Sequence, residues 1–178
     1  MSRALLILAL LLSSCSLLPM QRSAQGQLAH FQLQSLPAGF VNESRLYRWT
    51  VGNTNRLLQL EGQTEQVSLA AVSEQGLTLF TLDGSDVTHL QQSKSPLAHG
   101  VNPRQVFRLL QMATWPEDQL ADLQQDGWQI QQHGEVREVS YQGTLLYRIE
   151  IHGSESMVYD AISQQPASSF ELLSTDAL

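Results

Sequence analysis

Residues 102–118 read NPRQVFRLLQMATWPED, and this stretch breaks the alternation of apolar and polar residues found in much of the remaining chain. Asn102 is a favourable helix N-cap, and Pro103 suits the first position of a helix. The apolar residues within 106–110 then fall on one helical face. Pro116 starts a second short helix with acidic residues in its first turn. The stretch therefore predicts two short helices in the middle of the chain.

Strands are predicted on both sides of these helices, because apolar residues recur there at every second position. The predicted strands before the helices are residues 45–51, 56–61, 67–71, 77–82 and 86–92, the last two joined by a hairpin turn at Asp83 and Gly84. The predicted strands after the helices are residues 128–132, 135–141, 144–152, 156–159 and 168–173, with a turn at Gln142 and Gly143. This order predicts one α+β domain built on an antiparallel sheet.

The beginning of the chain carries the parts of a bacterial export signal. Arg3 is followed by nine apolar residues, 4–12, whereas a helix that crosses a bilayer needs about 20. The sequence then reads Leu12-Ser13-Ser14-Cys15, which resembles the lipobox that bacterial lipoprotein signal peptidase cleaves. We therefore predict a signal peptide at residues 1–14 and lipid attachment at Cys15. The alternatives are an ordinary signal peptide with a chance cysteine, or a buried N-terminal helix.

The residue after the cysteine predicts where the lipoprotein resides. In lipoproteins generally, Asp at this position favours the inner membrane, so Ser16 favours the outer membrane of a Gram-negative bacterium, on its periplasmic face. Residues 15–39 are predicted to form an acylated N-terminus and a tether, whose polar part is 21–27. Alternation over residues 28–36 predicts that part of this segment is a first strand. Residues 40–178 are then a single domain.

The charge of the mature chain excludes some partners. Removing residues 1–14 takes away Arg3, so 10 − 1 = 9 basic side chains face 17 acidic ones, a net charge of −8. Such a chain repels phosphate backbones, and we expect no nucleic-acid binding. It also offers no polybasic patch for anionic lipids, so the predicted contact with the membrane is made by the acyl chains.

Motifs for catalysis or metal binding are missing from the sequence. The five histidines are widely spaced, and the single cysteine cannot pair with another to bind zinc. The sequence contains no G-x-S-x-G nucleophile motif and no phosphate-binding P-loop. We therefore expect no catalytic residue, no metal and no cofactor. A periplasmic hydrolase acting on an ester or thioester remains an alternative, because a catalytic site can be assembled from distant residues.

Aromatic and aliphatic residues of the predicted strands and first helix, with Trp115 beyond it, are the candidate binding residues. The residues predicted to line a cavity between sheet and helices are Tyr47, Trp49, Leu58, Leu60, Phe80, Phe107, Leu110, Trp115, Trp128 and Tyr147. A sheet that packs against helices needs the same residue types in a solid core. Cavity and filled core therefore both stay open.

Several short runs carry a resemblance to known lipoproteins. Leu46-Tyr47-Arg48, the run LTLFTLDG at residues 77–84, and Trp115-Pro116 resemble a family of short proteobacterial lipoproteins, often encoded beside aryl-polyene or fatty-acid-synthesis-like genes. The order of elements is also similar to that of LolA and LolB, whose unclosed β-barrels are covered by helices at the mouth and receive acyl chains.

The resemblance to LolA and LolB implies both a fold and a function. The implied fold is a curved antiparallel sheet forming an unclosed β-barrel, with the two short mid-chain helices packed at its mouth. The implied function is to bind or hand over an acyl-chain or polyene-lipid cargo in the periplasm, without catalysis. A scaffold or interaction lipoprotein of an envelope complex is the alternative, and its protein partner would be unknown.

Overall fold

The structure of the protein is a computed structural model that describes residues 24–120 and 126–178. The predicted signal peptide, the predicted acylation site Cys15 and the first part of the predicted tether, up to residue 23, lie outside these ranges. Their assignment therefore stays a prediction.

The described residues form ten β-strands in one antiparallel sheet. The strands are β1 Glu43–Val51, β2 Thr54–Gln63, β3 Gln66–Ser73, β4 Thr78–Gly84, β5 Gln91–Lys94, β6 Trp128–His133, β7 Val136–Tyr141, β8 Thr144–His152, β9 Glu155–Asp160 and β10 Gln165–Ala177. Their spatial order is β5-β4-β3-β2-β1-β10-β9-β8-β7-β6. The chain thus returns at β10 to pair with β1, and β5 and β6 remain as the two edges of a curled, unclosed sheet.

Three α-helices accompany this sheet in the described part of the chain, besides two single-turn 3-10 helices, Ala38–Phe40 and Pro96–Ala98. The α-helices are α1 Ala24–Leu28, α2 Pro103–Thr114 and α3 Glu117–Leu120. Helix α2 begins where the sequence predicts, because the Asn102 side chain accepts hydrogen bonds from the backbone N–H groups of Arg104 and Gln105. This helix contacts both β4 and β9, which belong to opposite halves of the sheet, so it lies across the inside of the curl. The predicted α+β unclosed barrel is confirmed.

The alternation of apolar and polar residues decides which face of each strand is buried. In β2, Leu58 and Leu60 are buried while Gln59 between them is exposed, and in β3 Val67 and Leu69 are buried in the same way. Since successive side chains of a strand point to opposite faces, the buried set forms one apolar surface. That surface and the apolar face of α2 enclose the core.

The segment before β1 differs from its prediction. Residues 24–28 form helix α1 instead of continuing the polar tether, and residues 29–37 pair with no described strand, so the predicted first strand is wrong. Ala24, Leu28 and Phe31 are completely buried. Ala24 and Leu28 are four residues apart, a helical spacing that the surrounding polar residues conceal. We call residues 24–36 the strap. Its buried apolar side chains belong to the core, although the strap precedes the predicted domain start at residue 40.

The predicted hairpin turn at Asp83 and Gly84 is also wrong. Strand β4 continues through both residues, and the chain then forms an irregular loop before β5. In this loop the Asp86 carboxylate accepts hydrogen bonds from the backbone N–H groups of Thr88 and His89. A Cβ atom at position 84 would lie 2.5 Å from the carbonyl oxygen of His89, so glycine is needed because the loop folds closely over it. By contrast, Gln142 and Gly143 form the predicted turn, with φ angles of 50° and 76°.

Candidate functional site

A groove of about 610 Å³ opens at one end of the barrel, where α2 ends. Its walls come from the first half of β1, the turns between β6 and β7 and between β8 and β9, and the second half of β10. We call it the mouth groove. Tyr47, Trp115, Ile151 and Leu172 give it apolar surface, and Arg137 lies among the polar residues that line it.

Arg137 is the most deeply buried charged side chain of the mouth groove, with only 4% of its surface exposed. Its Nη1 donates a hydrogen bond of 2.6 Å to the carbonyl oxygen of Met112, near the end of α2. Its Nε and Nη2 donate to Oε1 of Gln132 at 3.2 and 2.7 Å. Burial lowers the pKa of Arg137 from its ordinary value, and the negative charge of Glu117 offsets part of this decrease. An arginine stays protonated in proteins, so the groove contains a buried positive charge.

The acceptors of the Arg137 hydrogen bonds are all neutral. Among residues 24–120 and 126–178, no carboxylate lies within 4.0 Å of its guanidinium nitrogens. Since a carbonyl at the end of a helix carries a partial negative charge, Met112 compensates some of the buried charge. The more distant charge of Glu117 compensates a further part, although no described carboxylate forms an ion pair with Arg137.

Tyr47 brings a second polar group to the groove. Its side chain is buried, and its hydroxyl makes no hydrogen bond of normal geometry with any described group. Burial raises the pKa of Tyr47, and the charge of the nearby Arg45 offsets part of this increase. The hydroxyl is therefore protonated at neutral pH and free to donate. Buried polar groups without partners are uncommon in folded proteins, which makes this hydroxyl a candidate ligand contact.

Side chains of the sheet hold the carbonyl end of α2 at the groove. Besides the bond from Arg137, the Ser156 hydroxyl donates to the carbonyl oxygen of Ala113 at 3.2 Å. The backbone N–H of Trp115 donates to the carbonyl oxygen of Gln111 at 2.9 Å and ends the helix. The last carbonyls of a helix have no partner within the helix, so these bonds fix its end in place.

The opposite side of α2 binds the strap through side chains. The bonds are from Gln105 Nε2 to Gln25 O at 3.3 Å, from Arg108 Nε to Phe31 O at 2.8 Å, from Gln34 N to Gln111 Oε1 at 2.9 Å, from Gln111 Nε2 to Gln34 O at 2.7 Å, and from Trp115 Nε1 to Ser35 O at 3.0 Å. Residues 105, 108 and 111 follow one another at helical spacing, so their side chains lie along one side of α2. They supply hydrogen bonds to the strap backbone that a neighbouring strand would otherwise provide.

Gln111→Ala is expected to loosen the strap. The substitution leaves the half-buried N–H and carbonyl of Gln34 without the Gln111 partner, and we expect it to lower the free energy of unfolding by about 1–2 kcal/mol. Backbone amides of residues 31–36 should exchange with deuterium faster, measured by hydrogen-exchange mass spectrometry. Gln105→Ala, which removes one longer and exposed bond, is the control and should change both quantities much less. Unchanged exchange in Gln111→Ala would show that the strap is held by other contacts.

The residues predicted to line a cavity are all buried. The structure places Tyr47 and Trp49 on β1, Leu58 and Leu60 on β2, Phe80 on β4, Phe107 and Leu110 on α2, Trp115 just after α2, Trp128 on β6 and Tyr147 on β8, each at most 3% exposed. Tyr47 and Trp115 also line the mouth groove. The other eight belong to the buried core, and a role for the whole set in lining an acyl-chain cavity stays a prediction.

Sequence analysis missed Arg137 and Gln111, although both stand at informative positions. Arg137 is two residues before Val139 in a strand, so it lies on the same face as a buried residue. Gln111 is four residues after Phe107, which places it on the buried side of α2. The signal that could have identified them is a polar residue at a position where the strand or helix periodicity predicts a buried apolar one.

Within residues 24–120 and 126–178, no helix is long and apolar enough to cross a membrane. The same residues include no group of three or more His, Cys, Asp and Glu side chains placed to hold a metal ion.

Comparison with known proteins identifies a family. No curated protein matches the chain. The profile of the family described as "Protein of unknown function (DUF3261)" matches residues 53–170, which include β2 to β9, α2 and most of the mouth groove. The match covers more than half of the chain, and the protein therefore belongs to the DUF3261 family.

Proposed function

We propose that the protein is a non-catalytic lipoprotein of the outer membrane, facing the periplasm, that binds or hands over an acyl-chain or polyene-lipid cargo. The observation that carries this proposal is the mouth groove. Its volume of about 610 Å³ lies within the range of small-molecule sites, and apolar side chains alternate along its wall with at least as many polar ones.

The apolar walls of the groove suit part of an acyl chain. Burying one CH₂ group contributes about 0.8 kcal/mol, so a chain that leaves a bilayer needs a pre-formed apolar surface to replace that contribution. Ile151 and Leu172 supply such a surface at the open end of the barrel, and the buried side chain of Trp115 also contributes to the wall of the groove. The unclosed sheet with a helix across its inside supports the proposed likeness to LolA and LolB.

The position of Cys15 supports attachment close to the membrane. Eight residues, 16–23, separate it from the strap, and a chain of this length spans at most about 30 Å. An acylated Cys15 would therefore keep the domain near the bilayer from which an acyl cargo comes.

A scaffold lipoprotein is the second candidate function, and one observation favours it. The space between the sheet and α2 is occupied by completely buried side chains, including Phe31, Phe107 and Trp115. A cargo chain longer than the groove would have to displace some of these side chains. A scaffold needs only a solid core and a protein partner.

Fatty-acid binding distinguishes these two functions. The chain from Ser16 to Leu178 keeps every described residue, and it can be titrated with laurate and palmitate in isothermal calorimetry. The carrier proposal predicts saturable binding of one or two molecules per chain, tighter for the longer acid. A chain that binds neither acid and is crosslinked in cells to one envelope protein would favour the scaffold.

A further inference from the structure

Two polar groups of the mouth groove have hydrogen-bonding capacity that the protein does not use. The Arg137 guanidinium carries five N–H donors and makes three of the observed hydrogen bonds, which leaves two N–H groups. The Tyr47 hydroxyl is buried and makes no hydrogen bond of normal geometry with a described residue, although the Arg45 and Thr114 side chains lie close to it. Both side chains line the groove, so these donors lie in its wall.

The charge of these groups identifies the kind of ligand. A buried guanidinium without a paired anion is costly, and the described residues give Arg137 only neutral acceptors. An oxygen anion would accept from the free donors and balance the charge, and hydrogen bonds to charged groups are the stronger kind. Glu117 also lines the groove, so its carboxylate disfavours a ligand with more than one negative charge.

We propose that the mouth groove binds the carboxylate of a fatty-acid-like amphiphile, with Arg137 and Tyr47 donating to the carboxylate oxygens. This inference rests on the proposed function and names the class of cargo. The two oxygens of a carboxylate can accept all three free donors. The apolar chain then lies against Trp115, Ile151 and Leu172, which line the same groove.

Tyr47→Phe is the substitution that tests this assignment. It removes only a hydroxyl that makes no hydrogen bond of normal geometry with a described residue, so we expect the fold to be no less stable. Tyr147→Phe is the matched control, because the Tyr147 hydroxyl is also buried without a partner but does not line the groove. Arg137 is less suitable for this test, because it also holds the end of α2.

The experiment compares three ligands of equal chain length, laurate, dodecanol and dodecyl phosphate, by calorimetry on the chain from Ser16 to Leu178. The wild type should bind laurate about tenfold or more tightly than dodecanol, since a hydrogen bond to a charged group is worth more than a tenfold change in affinity. Tyr47→Phe should weaken laurate binding about tenfold and dodecanol binding less. Tyr147→Phe should bind all three as the wild type does.

Each other outcome overturns a defined part of the account. Equal binding of laurate and dodecanol, or an unchanged laurate affinity in Tyr47→Phe, would overturn the carboxylate site and leave the acyl-chain carrier standing. Tighter binding of dodecyl phosphate than of laurate would replace the carboxylate by a phosphate headgroup. Binding of none of the three would overturn the proposed function together with the inference.

Discussion

Trp115→Ala is expected to lower the free energy of unfolding by about 3–5 kcal/mol, the range for removing a large buried aromatic side chain. Trp115 is completely buried at the junction of α2, the strap and the mouth groove. Its ring centroid lies 5.1 Å from that of Phe40 and 5.9 Å from that of Phe107, and its Nε1 donates to the carbonyl of Ser35. Urea denaturation followed by circular dichroism measures this change.

Trp115→Phe is the control for this prediction. It keeps an aromatic ring against Phe40 and Phe107 but removes the hydrogen bond to Ser35, so its loss of stability should be clearly smaller. A loss below about 1 kcal/mol in Trp115→Ala would contradict the central packing role that the structure gives this residue.

Cys15→Ser is expected to release the protein from the membrane almost completely. The substitution removes the sulfur that would carry lipid, and the sequence offers no polybasic patch to replace it. Since two or more acyl chains are needed for stable anchoring, the loss of membrane attachment should be close to all-or-none. Fractionation of cells into soluble and membrane portions measures the distribution.

The mass of the wild-type protein provides the control for this result. The mature wild type should begin at Cys15 and carry the additional mass of acyl chains, whereas the variant should carry none. A wild type with a free thiol, or a Cys15→Ser protein that stays in the membrane fraction, would show that attachment has another cause.

Local sequence signals predicted the elements whose interactions are local. The N-cap at Asn102 and the turn at Gln142 and Gly143 depend on neighbouring residues, and both are present as predicted. Alternation predicted β8 at its observed bounds, because its inward residues meet one continuous core. The order of sheet, helices and sheet was therefore readable from the chain.

The ordered structure of the strap could not be predicted, because its hydrogen-bond partners are distant in the sequence. The backbone N–H of Gln34 donates to the side chain of Gln111, 77 residues later, and its carbonyl oxygen accepts from the same side chain, so no local pattern marks Gln34 as ordered. Gly84 similarly resembles a turn glycine, but its small size is needed for the approach of His89. In both cases a tertiary contact decides the local structure.

The candidate site was only partly predictable for the same reason. Tyr47 and Trp115 were chosen as aromatic residues next to the predicted helices, and they do line the mouth groove. A role for Arg137 could not be predicted from the sequence, because it depends on the contacts of Arg137 with the end of α2 and with the side chain of Gln132. The unused donors of the groove depend on these long-range contacts.

Photo-crosslinking with a fatty acid that carries a diazirine on its chain tests most directly whether the mouth groove holds an acyl chain. After irradiation and digestion, the account predicts saturable labelling of peptides that contain Trp115, Ile151 or Leu172, and competition by excess laurate. Labelling that does not saturate, or that is confined to the exposed Leu77 and Leu97 outside the groove, would contradict it.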